Sequence, residues 1–281
     1  MQNFSEFMSP EVDIEVHMVG VTEGVTIRTV TFTPRKETSN PIVVFVAGWI
    51  TQITSWKSVL SEMMGDFKII YIETREKISS RIQGKAGFGV TDIGKDVAAL
   101  IDILKLKEKD YLLFGSSLGA TAIIDCYRFI KHKPLALVLI CPNAVFRVPA
   151  TLKFIVKNFY PPLYNLIKPP VKWYLKNFRL DVKTDSEQYK KYCSNIDAAD
   201  PWKLKPAVLA VSTYQVWDRL KEIDCPTLMV GASKDLLHEH ENQKRMASMI
   251  QNVTIVDLET NANTHSKNVV GVMRKYLKQI M

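Results

Sequence analysis

DYLLFGSSLGATAIIDCYRFI, residues 110–130, changes its period halfway along. Residues 110–114 form an apolar run of strand length, and from about Leu118 the apolar residues take helical spacing as far as Ile130. Between the two stands Gly115-Ser116-Ser117-Leu118-Gly119, a G-x-S-x-G sequence at the turn from a buried strand into a helix. The middle residue of so sharp a turn must hold a strained backbone, and its neighbours two positions away must be small because strand and helix come close together. Gly115 and Gly119 meet that demand. Ser117, not Ser116, occupies the middle, so its hydroxyl is expected above the carboxyl edge of the sheet. The N–H of Leu118, at the start of the helix, is expected to face any negative charge that develops beside it. The bland alternative is a small-residue turn with a capping serine, but strand, motif and helix in register favour a nucleophile.

Outward from this stretch, strand-length apolar runs alternate with helical patterns. PIVVFVAGW (41–49), FKIIYIET (67–74), LALVLICPN (135–143), PTLMVGASKD (226–235) and VTIVDLE (253–259) read as strands. Helices are expected at 54–64, at 92–106 with Ile93, Val97, Leu100, Ile101 and Leu104 on one face, at 239–250 and from Lys267 onward. Residues 12–19 and 25–34 read as an antiparallel hairpin around Glu23-Gly24 at the sheet edge. The class is α/β: a mostly parallel, eight-stranded sheet flanked by helices. The alternation stops after Asn143 and resumes at Pro226. A core of 1–144 and 223–281 is therefore expected, with a helical cap inserted at 145–222 and punctuated by Pro161-Pro162, Pro169-Pro170, Pro201 and Pro206.

Composition narrows the function classes. The 281 residues are 47% hydrophobic and 23% charged, ordinary values for a chain with a substantial core. The four cysteines, Cys126, Cys141, Cys193 and Cys225, include no C-x-x-C pair, which argues against a zinc ribbon or a stapled scaffold. The residues from Met1 lack the basic start and apolar stretch of a secretory signal, and no apolar run reaches spanning length, so a cytoplasmic setting is expected. The net charge of +8 is concentrated: Arg147, Lys153, Lys157, Lys168, Lys172, Lys176 and Arg179 give the stretch 145–180 a charge of +7 without one Asp or Glu. One basic, aromatic-rich insert on a nearly neutral body is not a nucleic-acid footprint. Its aromatics either pack the cap onto the sheet, or form an apolar acyl site with a basic rim that attracts an anionic substrate, an acyl carrier or a membrane surface.

These residues give the chain a resemblance to the α/β-hydrolase superfamily that covers nearly everything outside the cap. The resemblance implies a relay in the chain order Ser, Asp, His: Ser117 as nucleophile, Asp235 after a late strand, and His265 in the loop after the last one. Imidazole can remove and return the serine proton, and a carboxylate fixes its tautomer. The resemblance also implies two oxyanion donors, the main-chain N–H groups of Leu118 and of Trp49, which follows Gly48. Ala47 stands where the family usually has histidine. Trp56 resembles an aromatic often found on the next helix. In 73–89, only Arg75 and the later glycines match the family's short glycine-bearing loop. The implied activity is hydrolysis of a small-molecule carboxylic ester or thioester through an acyl-serine, with neither metal nor cofactor. Carbon–carbon bond hydrolysis, perhydrolysis and a non-catalytic ligand receptor are the alternatives. Asp235, His238 and His240 lie close in sequence but lack a complete metal-ligand set, and Cys141 reads as a buried apolar residue.

Overall fold

The computed structural model describes residues 4–180, 182, 185–235 and 240–281. Nine strands form one sheet among these residues: β1 (Val12–Thr22), β2 (Val25–Pro34), β3 (Ile42–Val46), β4 (Ile69–Glu73), β5 (Arg81–Ile82), β6 (Tyr111–Ser116), β7 (Ala136–Ile140), β8 (Thr227–Gly231) and β9 (Val253–Asp257). The order is β1-β2-β4-β3-β6-β7-β8-β9, and β5 pairs with β2. The strands from β3 onward in this path, together with β4, run parallel, while the β1–β2 hairpin is antiparallel and meets β4 antiparallel. The ninth strand is β5, two residues of the stretch read from sequence as a loop. Gly24 sets its place: with φ +67° it turns the hairpin, and its N–H neighbourhood is so tight that an added Cβ would meet Gln83 O at 2.3 Å.

The helices are α1 (Lys57–Met63), α2 (Val90–Ile103), α3 (Leu118–Cys126), α4 (Ala150–Asn158), α5 (Tyr164–Tyr174), α6 (Ser186–Ala198), α7 (Pro201–Val211), α8 (His240–Ala247), α9 (Asn261–Thr264) and α10 (Lys267–Ile280). The period-two alternation of the strands feeds two cores. Val44, Val46 and Leu113 pack with Val97, Leu100 and Ile123 on one face; Val43, Phe45 and Phe114 pack with Leu60, Val270 and Met273 on the other. Helix α2 begins two residues earlier than its pattern implied. Leu104 falls beyond its last turn, where Lys105 takes φ 54°, and is exposed. None of the described helices is long and apolar enough to cross a membrane.

Strand β3 lies between β4 and β6, so the chain leaves β3 toward one side of the sheet and leaves β6 toward the other. That divergence makes the carboxyl ends of β3 and β6 the topological switch point of the sheet, the usual ligand position in an open parallel sheet. Arg75 braces the loop beyond β4. Its guanidinium donates to both carboxylate oxygens of Asp96 at 2.6 Å and to the carbonyl of Gly87 at 2.7 Å.

Candidate active site

Ser117 sits at this switch point, between the end of β6 and the first turn of α3, with φ 51° and ψ −118°. A non-glycine residue in that conformation is strained and persists only where its surroundings impose it. Here they do. The Ser117 N–H donates to Ile140 O at 2.8 Å, and its carbonyl accepts from Thr121 N at 3.0 Å. A Cβ on Gly115 would stand 2.8 Å from Ala120 Cα, and one on Gly119 would stand 2.1 Å from Val46 O. Both glycines therefore permit α3 to lie against β3 and β6.

Gly48 brings the β3 loop to the same place. A Cβ built there would lie 3.5 Å from both Ser117 Cβ and Ser116 O. Beyond it the loop turns back on itself: Ile50 takes φ 49°, Thr51 N donates to Gly48 O at 3.2 Å, and Thr51 Oγ1 donates to Trp49 O at 3.2 Å. The Trp49 ring packs with the small cluster that holds Leu118, so the two residues whose N–H groups were singled out share one apolar support.

The histidine end is built by α9, a single turn where the sequence suggested only a polar loop. Thr260 caps it by accepting from Asn263 N. His265 Nδ1 is 3.0 Å from Asn261 O and 3.1 Å from Thr264 Oγ1, and the Thr264 hydroxyl donates to that same carbonyl at 2.8 Å. A carbonyl can only accept, so this geometry assigns the proton to Nδ1 and leaves the lone pair on Nε2. Asn261 also donates through Nδ2 to Asp235 Oδ2 at 3.2 Å, which ties Asp235 to the histidine turn. The imidazole stacks on Trp56, with ring centroids 4.2 Å apart and an interplanar angle of 27°. Trp56 is fully buried and meets Phe45 and Phe114 edge-on, so the platform under His265 rests on β3 and β6.

Sequence reasoning missed Asn143. Its Nδ2 donates to Ser117 Oγ at 3.0 Å, and its backbone is held by Thr121, whose hydroxyl accepts from Asn143 N at 3.0 Å and lies 2.9 Å from Asn143 O. It was visible only as the last residue of an apolar strand. Helix α6 also reaches the site. Gln52 N–H donates to Asn195 Oδ1 at 3.0 Å, and burial followed by the charge of Asp235 pushes the Tyr192 phenol on α6 upward. Burial, then Asp235, likewise raises the Cys141 thiol, which keeps that residue protonated and poorly nucleophilic. His238 lies outside the described residues.

A second cluster stands beside Thr51 and Gln52. Glu76 and Lys77 are 1% and 6% exposed, and Glu76 Oε2 and Lys77 Nζ have no hydrogen-bond partner among the described residues. They border a cavity of about 420 Å³ shared with Arg28, Glu73 and Ala198. Burial lowers the Lys77 ammonium, opposed by Glu76 and Glu73. Lys203 of α7 donates to Lys77 O at 2.7 Å and Ser80 O at 2.6 Å, fastening cap to loop.

No family model and no curated protein matches the chain by sequence. Solved structures do match. An esterase from Thermogutta terrifontis is 19% identical with a TM-score of 0.72, covering 95% of this chain and 99% of its own. A hydrolase from Pseudomonas aeruginosa is 17% identical, TM-score 0.73, covering 93% and 98%, and the enol-lactonase from Burkholderia xenovorans is 14% identical, TM-score 0.73, covering 93% and 98%. With the sheet order, the strained turn at Ser117 and near-complete coverage of these chains in agreement, the protein has the α/β-hydrolase fold.

Proposed function

We propose that the protein is a serine hydrolase that cleaves a small-molecule carboxylic ester or thioester through an acyl-Ser117 intermediate. The observation that carries this reading is the backbone of Ser117, strained at φ 51° between two glycines that admit no side chain. Such strain is retained where presenting the hydroxyl matters more than relaxing the turn.

In the first half-reaction Ser117 Oγ attacks the carbonyl carbon, and its proton passes to His265 Nε2. The oxyanion is stabilised by the N–H groups of Leu118 and Trp49, an effect worth roughly 3–4 kcal/mol for one donor. Collapse of the tetrahedral adduct breaks the bond to the leaving group, which takes the proton from His265. In the second half His265 removes a proton from water, the hydroxide adds to the acyl carbon, and Ser117 leaves with the proton returned. Asp235, joined to the histidine turn through Asn261, supplies the negative charge that favours the imidazolium. The Trp56 face adds to this, since an aromatic face attracts a cation. Asn143 holds Ser117 Oγ in line through its 3.0 Å hydrogen bond.

The test is labelling by a fluorophosphonate probe, followed by a panel of acyl esters and thioesters. Wild type is expected to label, Ser117→Ala to lose labelling, and His265→Ala to label at least about a thousandfold more slowly. Undiminished labelling of Ser117→Ala would remove the assignment. Tight binding of an ester without turnover, equal in wild type and both variants, would show a receptor instead.

A further inference from the structure

The cap carries two helical segments that are turned inside out relative to an ordinary surface helix. In α4 no residue is buried, and in the 16-residue run from Tyr164 to Arg179, which joins α5 to a short π-turn, only Tyr164 is. Three of the lysines, Lys153, Lys168 and Lys172, point inward. Lys172 Nζ reaches both carboxylate oxygens of Asp197 at 2.7 Å, Lys168 Nζ donates to Asp197 O at 3.1 Å, and Lys153 Nζ donates to Ser212 O at 3.1 Å. The large apolar groups point outward: Phe154 is 71% exposed, Leu166 72%, Trp173 60% and Phe178 60%, with Tyr160 and Trp202 forming an edge-to-face pair beside them, both exposed. A water-facing helix buries its apolar stripe and solvates its lysines; this pair does the reverse, and the polar anchors hold the arrangement in place.

The occupant is identified by charge and residue type. The stretch 145–180 has no acidic residue and its outward lysines are Lys157 and Lys176, so two copies meeting through this face would bring like charges together. Lys157 and Lys176, on these two segments, are exposed and make no ion pair among the described residues. Protein interfaces favour arginine and are depleted in lysine, whereas five of the seven cations here are lysines. Tryptophan and tyrosine flanked by lysine suit a surface that is apolar below and anionic above. We propose that the exposed sides of the Tyr164–Arg179 segment and of α4 dock onto an anionic phospholipid bilayer, with Trp173 and Phe178 entering the headgroup boundary and Lys157 and Lys176 facing lipid phosphates.

The test is co-sedimentation of the whole protein with vesicles of phosphatidylcholine alone and of phosphatidylcholine mixed with phosphatidylglycerol. Binding is expected to the mixed vesicles and to fall as salt is raised. Lys157→Gln/Lys176→Gln is expected to weaken it by about thirtyfold, about fivefold for each lysine. Trp173→Ser/Phe178→Ser is expected to reduce binding at every salt concentration, while circular dichroism shows the fold unchanged. Equal binding to both vesicle types, binding to neither, or a concentration-dependent dimer abolished by Trp173→Ser would each overturn the proposal, as would salt-sensitive capture of an acidic acyl-carrier protein with no vesicle binding. The readout is binding, so it also succeeds or fails for Ser117→Ala, independently of whether Ser117 is a nucleophile.

Discussion

Gly119→Ala isolates the contact on which the site's geometry depends. The new Cβ would fall 2.1 Å from Val46 O, more than an ångström inside the 3.4 Å at which ordinary contact begins, and 2.6 Å from Ala47 O. The obstacle is backbone, and it cannot swing aside: Val46 is paired with Ile72 on one side and Gly115 on the other, in the middle of the sheet. Helix α3 must therefore back away from β3 by about 1 Å. Forced overpacking of this kind costs about 3 kcal/mol or more, and a displacement of about 1 Å at a reacting group costs about a hundredfold in rate. Gly271→Ala is the control, because that glycine is exposed in α10 with nothing within 4 Å of its added Cβ, and alanine should stabilise it by about 0.5–1 kcal/mol. Urea unfolding reads the stability and fluorophosphonate labelling reads the placement of Ser117. If Gly119→Ala lies within about 0.5 kcal/mol of wild type and labels at the wild-type rate, the close approach of α3 to β3 is not what holds Ser117. The stability arm stands even if wild type proves unreactive.

Two other perturbations follow from the same region. Asn143→Ala removes the 3.0 Å hydrogen bond to Ser117 Oγ and should slow labelling by about tenfold or more, with its main effect on the rate constant for acylation and little on substrate affinity; an unchanged rate would make Asn143 a bystander. Lys77→Met addresses pH. Burial depresses the Lys77 ammonium in the folded chain, so between that lowered value and about 10.4 the unfolded chain holds more protons and stability from this group rises with pH. Urea titrations from neutral to alkaline pH should show wild type gaining on Lys77→Met as the pH climbs; wild type losing ground instead would contradict an ammonium disfavoured by burial.

Much of the fold was legible because its signals are local and repeated. Strand-length apolar runs and a period change at Gly115–Gly119 act over a few residues, and together they specify a mostly parallel sheet flanked by helices. The two-residue strand β5 was not legible, since Arg81-Ile82 has no periodicity of its own and pairs only because Gly24 lets Gln83 come close. The one-turn helix α9 was hidden for a related reason: NANT reads as loop, and its helical form is fixed by the Thr260 cap and the hydrogen bonds closing on Asn261 O.

What sequence could not supply is the set of groups that act through others. Ser117 announces itself because its neighbours must be glycine, a demand written two residues away on either side. Asn143 makes no such demand on its neighbours. It reaches Ser117 from beyond the end of the next strand, 26 residues on, and Thr121 fixes its backbone across that gap. Asn261 is subtler: its side chain holds Asp235 while its carbonyl, a group every residue possesses, selects the imidazole tautomer. The cap shows the opposite case. Its composition was plain, seven cations among aromatics, but composition alone left open whether rings or lysines face the protein. The hydrogen bonds of Lys153, Lys168 and Lys172 decide it, because a lysine committed to a carbonyl or carboxylate beneath its helix cannot also shield the rings above. The segments fastened by Lys153, Lys168 and Lys172 leave Phe154, Leu166, Trp173 and Phe178 exposed, and only the three-dimensional placement of those charges shows it.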